Sequence, residues 1–183
     1  MTFDSHQFLT SDHSREPFEH CSVCGESIVG KTYIVEKAYQ RNYVDRELIT
    51  VFELVVCDPC RLQMNQDISN ESKSNIQQFI TEKTTVIENR FAETQTSQSK
   101  QHARCIITEK PVEDCDEFQV VFIHQPNFHS QFPMFISDDA IEMYQALLSD
   151  HTKGFFDDFM DNIGGLPPAL EDLFNSKKTL LVL

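Results

Sequence analysis

Two cysteine pairs constrain this chain more than any other feature. Cys21 and Cys24 stand in the stretch CSVCGES, Cys57 and Cys60 stand in CDPC, and 32 residues lie between the pairs. Cysteines three apart can turn both sulfurs toward one point, and two such pairs supply four thiolates, the closed tetrahedral shell that a structural zinc ion takes. Gly25 directly follows the first pair and suits the positive-φ turn that such a loop uses. The expectation is one zinc ion per chain, held by Cys21, Cys24, Cys57 and Cys60. Buried core thiols are a poorer account, since packing alone seldom produces two such pairs. A redox pair of thioredoxin type would explain the second pair only.

The residues between the pairs alternate in character. KTYIVEKAYQ and LITVFELVV are rich in β-branched and aromatic residues, and the polar RNYVDRE separates them, which predicts a β-hairpin. Ile49, Val51 and Val55 on one face of the second strand, with Phe52, Leu54 and Val56 on the other, predict that this strand is covered on both sides. In CDPCRLQMNQDI, Asp58 is the expected N-cap and Pro59 the first helical residue, so a helix starts here with Cys60 in its first turn. A CxxCG knuckle, a hairpin and a second CxxC at a helix start resemble a treble-clef zinc finger over roughly residues 18–70. Cys21, Cys24, Cys57 and Cys60 fall on its four ligand positions. The resemblance implies a metal-held module, one shared by proteins of many functions.

The rest divides by composition. Residues 1–17 read as a polar leader, 18–70 as the zinc-binding module, 71–101 as a helix and linker, and 102–183 as an acidic C-terminal α+β part. Ile76, Phe79, Ile80, Ile87 and Phe91 recur at helical spacing, and the polar AETQTSQSKQ that follows marks the linker. EFQVVFIH predicts a strand, QPNFHSQFP a loop, and SDDAIEMYQALLSD a helix capped by Ser137. KGFFDDFMDNIGG predicts a helix stopped by Gly164 and Gly165, and LPPALEDLF a short one. The fold class expected is α+β: a treble-clef-like zinc module of knuckle, hairpin and helix, then a second small α+β, mainly helical part.

Cys105 and Cys115 fall outside both pairs. CIITEKP echoes CSVCGES, with Thr108 where the second thiol would stand, which would make the second half a metal-free relative of the first. A second zinc site built from His102, Cys105, Cys115 and His124 is an alternative, although its spacing follows no pattern with a physical motive. Buried core thiols are a third reading, and an enzyme using Cys105 or Cys115 as a reactive thiol a fourth.

Charge and hydropathy narrow the function classes. The chain carries a formal charge of −14, and residues 111–183 hold 3 basic against 13 acidic groups. That field repels phosphate backbones and disfavours nucleic acid as a partner. A zinc-dependent nucleic-acid binder survives as the second reading, through Lys73, Lys83, Arg90, Lys100 and Arg104, together with Arg41, Arg46 and Arg61 around the finger. No signal-peptide pattern or membrane-length apolar run is present in the sequence, so a cytoplasmic protein without membrane contact is expected. Four thiolates close the metal shell to water, and no catalytic constellation stands out, so the chain reads as a non-enzymatic adaptor with a protein partner. The tail LLVL and the run Phe155, Phe156, Phe159, Met160 and Ile163 offer apolar surface for packing between the halves or across a homodimer.

Overall fold

The predicted hairpin forms. Strands β1 (Tyr33–Arg41) and β2 (Leu48–Cys57) pair antiparallel from Tyr33↔Cys57 to Arg41↔Leu48, with a register slip at Ala38/Tyr39. The computed structural model describes residues 5–96, 103–126 and 133–162. The predicted strand in the second half, β3 (Glu117–His124), lies on the other side of β1, and β4 (Met134–Ser137) pairs with β3. The result is one antiparallel sheet of order β2-β1-β3-β4, shared by both halves of the chain. β4 has only four residues, too few for a period-2 pattern to show in the sequence.

Alternation along the strands sends side chains to two cores. Val35, Val55 and Phe122 face one layer, where they meet Phe8, Ile28 and Val112 from irregular segments. Ile34, Leu54, Val56 and Val121 face the other, where they meet the helices. These helices are α1 (Asp58–Asp67), α2 (Asn70–Thr96), α3 (Asp138–Gln145) and α4 (Asp150–Asn162). Met64, Ile68 and Ile76 from or beside the first two, with Tyr144, Leu148 and Phe156 from or beside the last two, fill that side. The sheet is therefore the middle of three layers. Among the predicted stripe, Ile76 is buried, while Ile80 and Phe91 further along α2 are exposed.

Several expectations need correction. Strand β2 is covered on both faces only over Leu54–Cys57, because it lies at the sheet edge; Ile49 is 40% exposed. The N-cap of α1 is Cys57, not Asp58: Cys57 keeps extended φ and ψ, and Asp58 already sits in the first turn, paired with Arg61 at 2.8 Å. Ser137 does cap α3, accepting from the Ala140 N–H at 3.3 Å. The segment SDDAIEMYQALLSD, however, splits into α3 and the start of α4, because Ser149 opens a new helix by accepting from the Thr152 N–H at 3.4 Å. Gly164, Gly165, LPPALEDLF and the LLVL tail lie outside the described residues.

The polar leader is tied down where its composition suggested a loose segment. A short 3-10 helix (Ser5–Leu9) buries Phe8 completely, with its ring 6.2 Å from those of Phe122 and Phe135. Beyond it, the fully buried Lys37 ammonium donates to the Thr10 carbonyl at 2.7 Å and pairs with Asp12 at 2.9 Å and Glu53 at 3.6 Å. Asp12 also accepts from the hydroxyls of Tyr39 and Thr50, each at 2.9 Å. Burial raises the Asp12 pKa, but the Lys37 bond and charge and the two hydroxyls outweigh it, leaving the carboxyl below its ordinary value. Its stabilisation is present above that value and is lost as pH falls through the lower folded one. Asp12→Asn removes one partner of a buried cation and should lower stability by about 2 kcal/mol at pH 7. Urea unfolding checks this, and an unchanged midpoint would show that the ion pair does not hold the segment.

Candidate metal centre

Each of the four cysteines is placed by a local backbone device. In the first loop the Cys21 N–H donates to the Glu26 carbonyl and the Gly25 N–H to the Cys21 carbonyl, both at 2.9 Å, while His20 and Ser27 form an isolated antiparallel bridge. Gly25 takes φ +71°, as the sequence suggested. Cys57 ends β2 and Cys60 falls in the first turn of α1, so the strand-to-helix junction aims the second pair. Ser22 is a residue the sequence gave no reason to single out. Its N–H donates to the Val55 carbonyl at 2.7 Å and its hydroxyl accepts from the Val55 N–H at 3.0 Å, which pins the loop to β2 beside Cys57.

These devices bring the four Sγ atoms within 4.8 Å of one another. The Cys24 and Cys57 sulfurs lie 3.8 Å apart, and all the cysteines are free. A disulfide would need about 2.05 Å. A tetrahedron with metal–sulfur bonds of about 2.3 Å has edges of about 3.8 Å. The spacing therefore fits a shared metal ion. Cys21 and Cys57 are buried, Cys60 is intermediate and Cys24 exposed, so the cluster opens to solvent on the Cys24 side.

Electrostatics separate the thiols. Burial pushes the Cys21 thiol up, but N–H groups of Cys57, Cys24 and Val23 more than offset it and bring it down to about 7. The first of these is the Cys57 N–H, 3.4 Å from the Cys21 sulfur. Burial raises the Cys57 thiol and the Cys21 sulfur adds to it, against the N–H and thiol of Cys60, which lower it; burial also raises the Cys60 thiol, and there the sulfurs of Cys57, Cys24 and Cys21 all add to it. A cation among the four sulfurs reverses that penalty, because it favours every thiolate at once.

Of the alternative second set, Cys105, Cys115 and His124 are described and do not converge on one point. His102 lies outside the described residues, and among those described the one convergent group of three or more candidate ligands is Cys21, Cys24, Cys57 and Cys60. The buried Cys115 thiol donates to the Pro111 carbonyl at 3.4 Å, and burial pushes it up to about 11, which argues against an activated nucleophile. His124 stacks on Tyr33 with ring centroids 4.6 Å apart. No helix among the described residues is long and apolar enough to cross a membrane. No known protein family, curated protein or solved structure matches the chain.

Gly25 offers a clean test of the first loop. An added Cβ would meet nothing within 4 Å, so Gly25→Ala isolates the backbone strain of φ +71°. The expected cost is about 1–2 kcal/mol of stability with the four thiols unchanged in number. Urea unfolding measures it; a neutral effect would mean that the loop relaxes to another turn.

Proposed function

We propose that Cys21, Cys24, Cys57 and Cys60 hold one structural zinc ion in a treble-clef module of roughly residues 18–70, and that the protein is a non-enzymatic adaptor that binds another protein. The observation that carries the metal reading is the convergence of four free thiols with a 3.8 Å sulfur–sulfur edge. The knuckle, the hairpin and the helix that begins at Cys57 stand in the order such a module requires. Zinc suits the set because four soft thiolates complete a tetrahedral shell and leave no position for a reacting water.

The adaptor reading draws its support from the module's surface. Val23 and Val29 beside the knuckle are 38% and 74% exposed, and Leu62 on α1 is 51% exposed. Apolar side chains displayed on a rigid, metal-held unit are what a protein partner would cover. The charge of −14 weighs against nucleic acid.

Native mass spectrometry of protein purified without added metal should show one zinc per chain, and Cys57→Ser should lose it together with the fold of the module, since structural zinc supplies on the order of 10 kcal/mol of folding free energy. A folded, metal-free wild type would sink the reading. Val29→Asp combined with Leu62→Asp should keep the zinc and abolish binding of any protein that co-purifies with the wild type; retained binding would move the interface elsewhere.

A further inference from the structure

The second half repeats the first at the level of individual hydrogen bonds. RCIITEKP aligns with HCSVCGES so that Cys105 falls on Cys21, Thr108 on Cys24 and Glu109 on Gly25. Arg104 and Pro111 form an antiparallel bridge as His20 and Ser27 do. The Cys105 N–H donates to the Lys110 carbonyl at 2.9 Å and the Glu109 N–H to the Cys105 carbonyl at 3.0 Å, matching Cys21–Glu26 and Gly25–Cys21. Glu109 even takes φ +61° where Gly25 takes +71°, a conformation a glutamate adopts only under local constraint. The Ile106 N–H donates to the Phe135 carbonyl at 2.8 Å, as Ser22 does to Val55 at 2.7 Å. The Cys105 sulfur accepts the N–H groups of Ile107 and Thr108 at 3.4 Å, as the Cys21 sulfur accepts those of Val23 and Cys24.

The correspondence continues into the helices. Strand β1 begins opposite Cys57 (Tyr33↔Cys57), and β3 begins one residue before its pair Phe118↔Ser137. Cys57 caps α1 and Ser137 caps α3. From there the halves run in step: Cys60, Ser69, Ser72 and Ile76 stand 80 residues before Ala140, Ser149, Thr152 and Phe156. The matched hydroxyls meet, Ser69 with Ser149 at 2.8 Å and Ser72 with Thr152 at 3.0 Å, and β1 pairs antiparallel with β3. That is the arrangement of two equivalent units about a local two-fold axis.

At the place of the metal centre the second unit has Cys105, Thr108, Ser137 and Ala140. The Thr108 and Ser137 hydroxyls share a 2.9 Å hydrogen bond where Cys24 and Cys57 hold their sulfurs 3.8 Å apart. Cys105 and Ala140 are fully buried. We infer that these residues occupy a second four-ligand metal position, emptied by three substitutions, so that the C-terminal half is a metal-free copy of the N-terminal module. The inference rests on the reading of the first centre as a metal site. The backbone still presents the geometry of a four-thiolate shell, and hydroxyls close the space where an ion would sit.

The test restores the ligands: Thr108→Cys, Ser137→Cys and Ala140→Cys in the full chain, with metal counted by native mass spectrometry. Two zinc ions per chain, against one in the wild type, are expected. One ion in the folded variant overturns the inference and leaves the first centre intact; none in either protein overturns the metal reading itself. Should the triple variant fail to fold, Thr108→Cys with Ser137→Cys gives three thiols with Cys105, and Co²⁺ titration replaces the count. A second equivalent with thiolate-to-cobalt charge-transfer absorption supports the inference, and saturation at one equivalent overturns it.

Discussion

Four thiols within 4.8 Å of one another are a demand as much as a site. Ionised and uncompensated, they repel; protonated, they are poor packing for a half-exposed corner. Burial holds the Cys57 and Cys60 thiols above their ordinary value, helped at Cys57 by the Cys21 sulfur and at Cys60 by the three other sulfurs, while three N–H groups draw Cys21 down to about 7. The backbone thus favours the thiolate at Cys21, and a cation would favour it at all four sulfurs. The strand-to-helix junction at Cys57, the knuckle docked by Ser22 and the start of α1 all converge on that requirement.

The second constraint is the pairing of β1 with β3. Neither hairpin alone has a covered sheet, but side by side they form a four-stranded layer with a core on each face. Contacts across the join are distant in sequence: Tyr33 faces both Cys57 and His124. A metal bound near Cys57 would therefore stiffen a strand that the second half also uses, linking the two halves through the sheet rather than through a surface between separate bodies.

Much of the site was legible in the sequence because its information is local. Two CxxC pairs, Gly25 and Pro59 specify short-range backbone geometry, and Ser137 declares its own helix. The hairpin showed for the same reason. What stayed hidden depends on distant partners. Lys37 reads as an ordinary strand cation until Asp12 and the Thr10 carbonyl surround it, and Phe8 reads as part of a loose leader until Phe122 and Phe135 are brought beneath it. Asp58 looked like the N-cap because capping propensity ignores the Cys57 N–H, which is already committed to the Cys21 sulfur at 3.4 Å. The repeat was visible only as seven residues, since most of what it preserves is backbone hydrogen bonding and burial rather than residue identity.

On the reading of an emptied second centre, the two halves solve one mechanical problem in different ways. The knuckle must be fastened to the start of the helix that follows the hairpin. In the first half a metal ion would do this through four bonds. In the second, Thr108 bonds Ser137 across the same gap, and Lys110, which stands where the first half has Glu26, pairs with Asp138 at 2.7 Å and Asp139 at 3.3 Å at the start of α3. Its hydrogen bond to Asp138 is the main reason the Lys110 pKa is raised. Behind them Cys105, Ile136, Ala140 and Ile141 form a small apolar cluster of their own, with Ile106 and Ile107 against it. Isoleucines fill where the first half has Ser22, Val23 and Arg61, so burial replaces coordination. An apolar plug with Lys110 paired to both Asp138 and Asp139 needs no cofactor, whereas the thiol cluster would depend on its ion. The asymmetry leaves the module with the exposed Val23, Val29 and Leu62 as the one whose shape a metal would control.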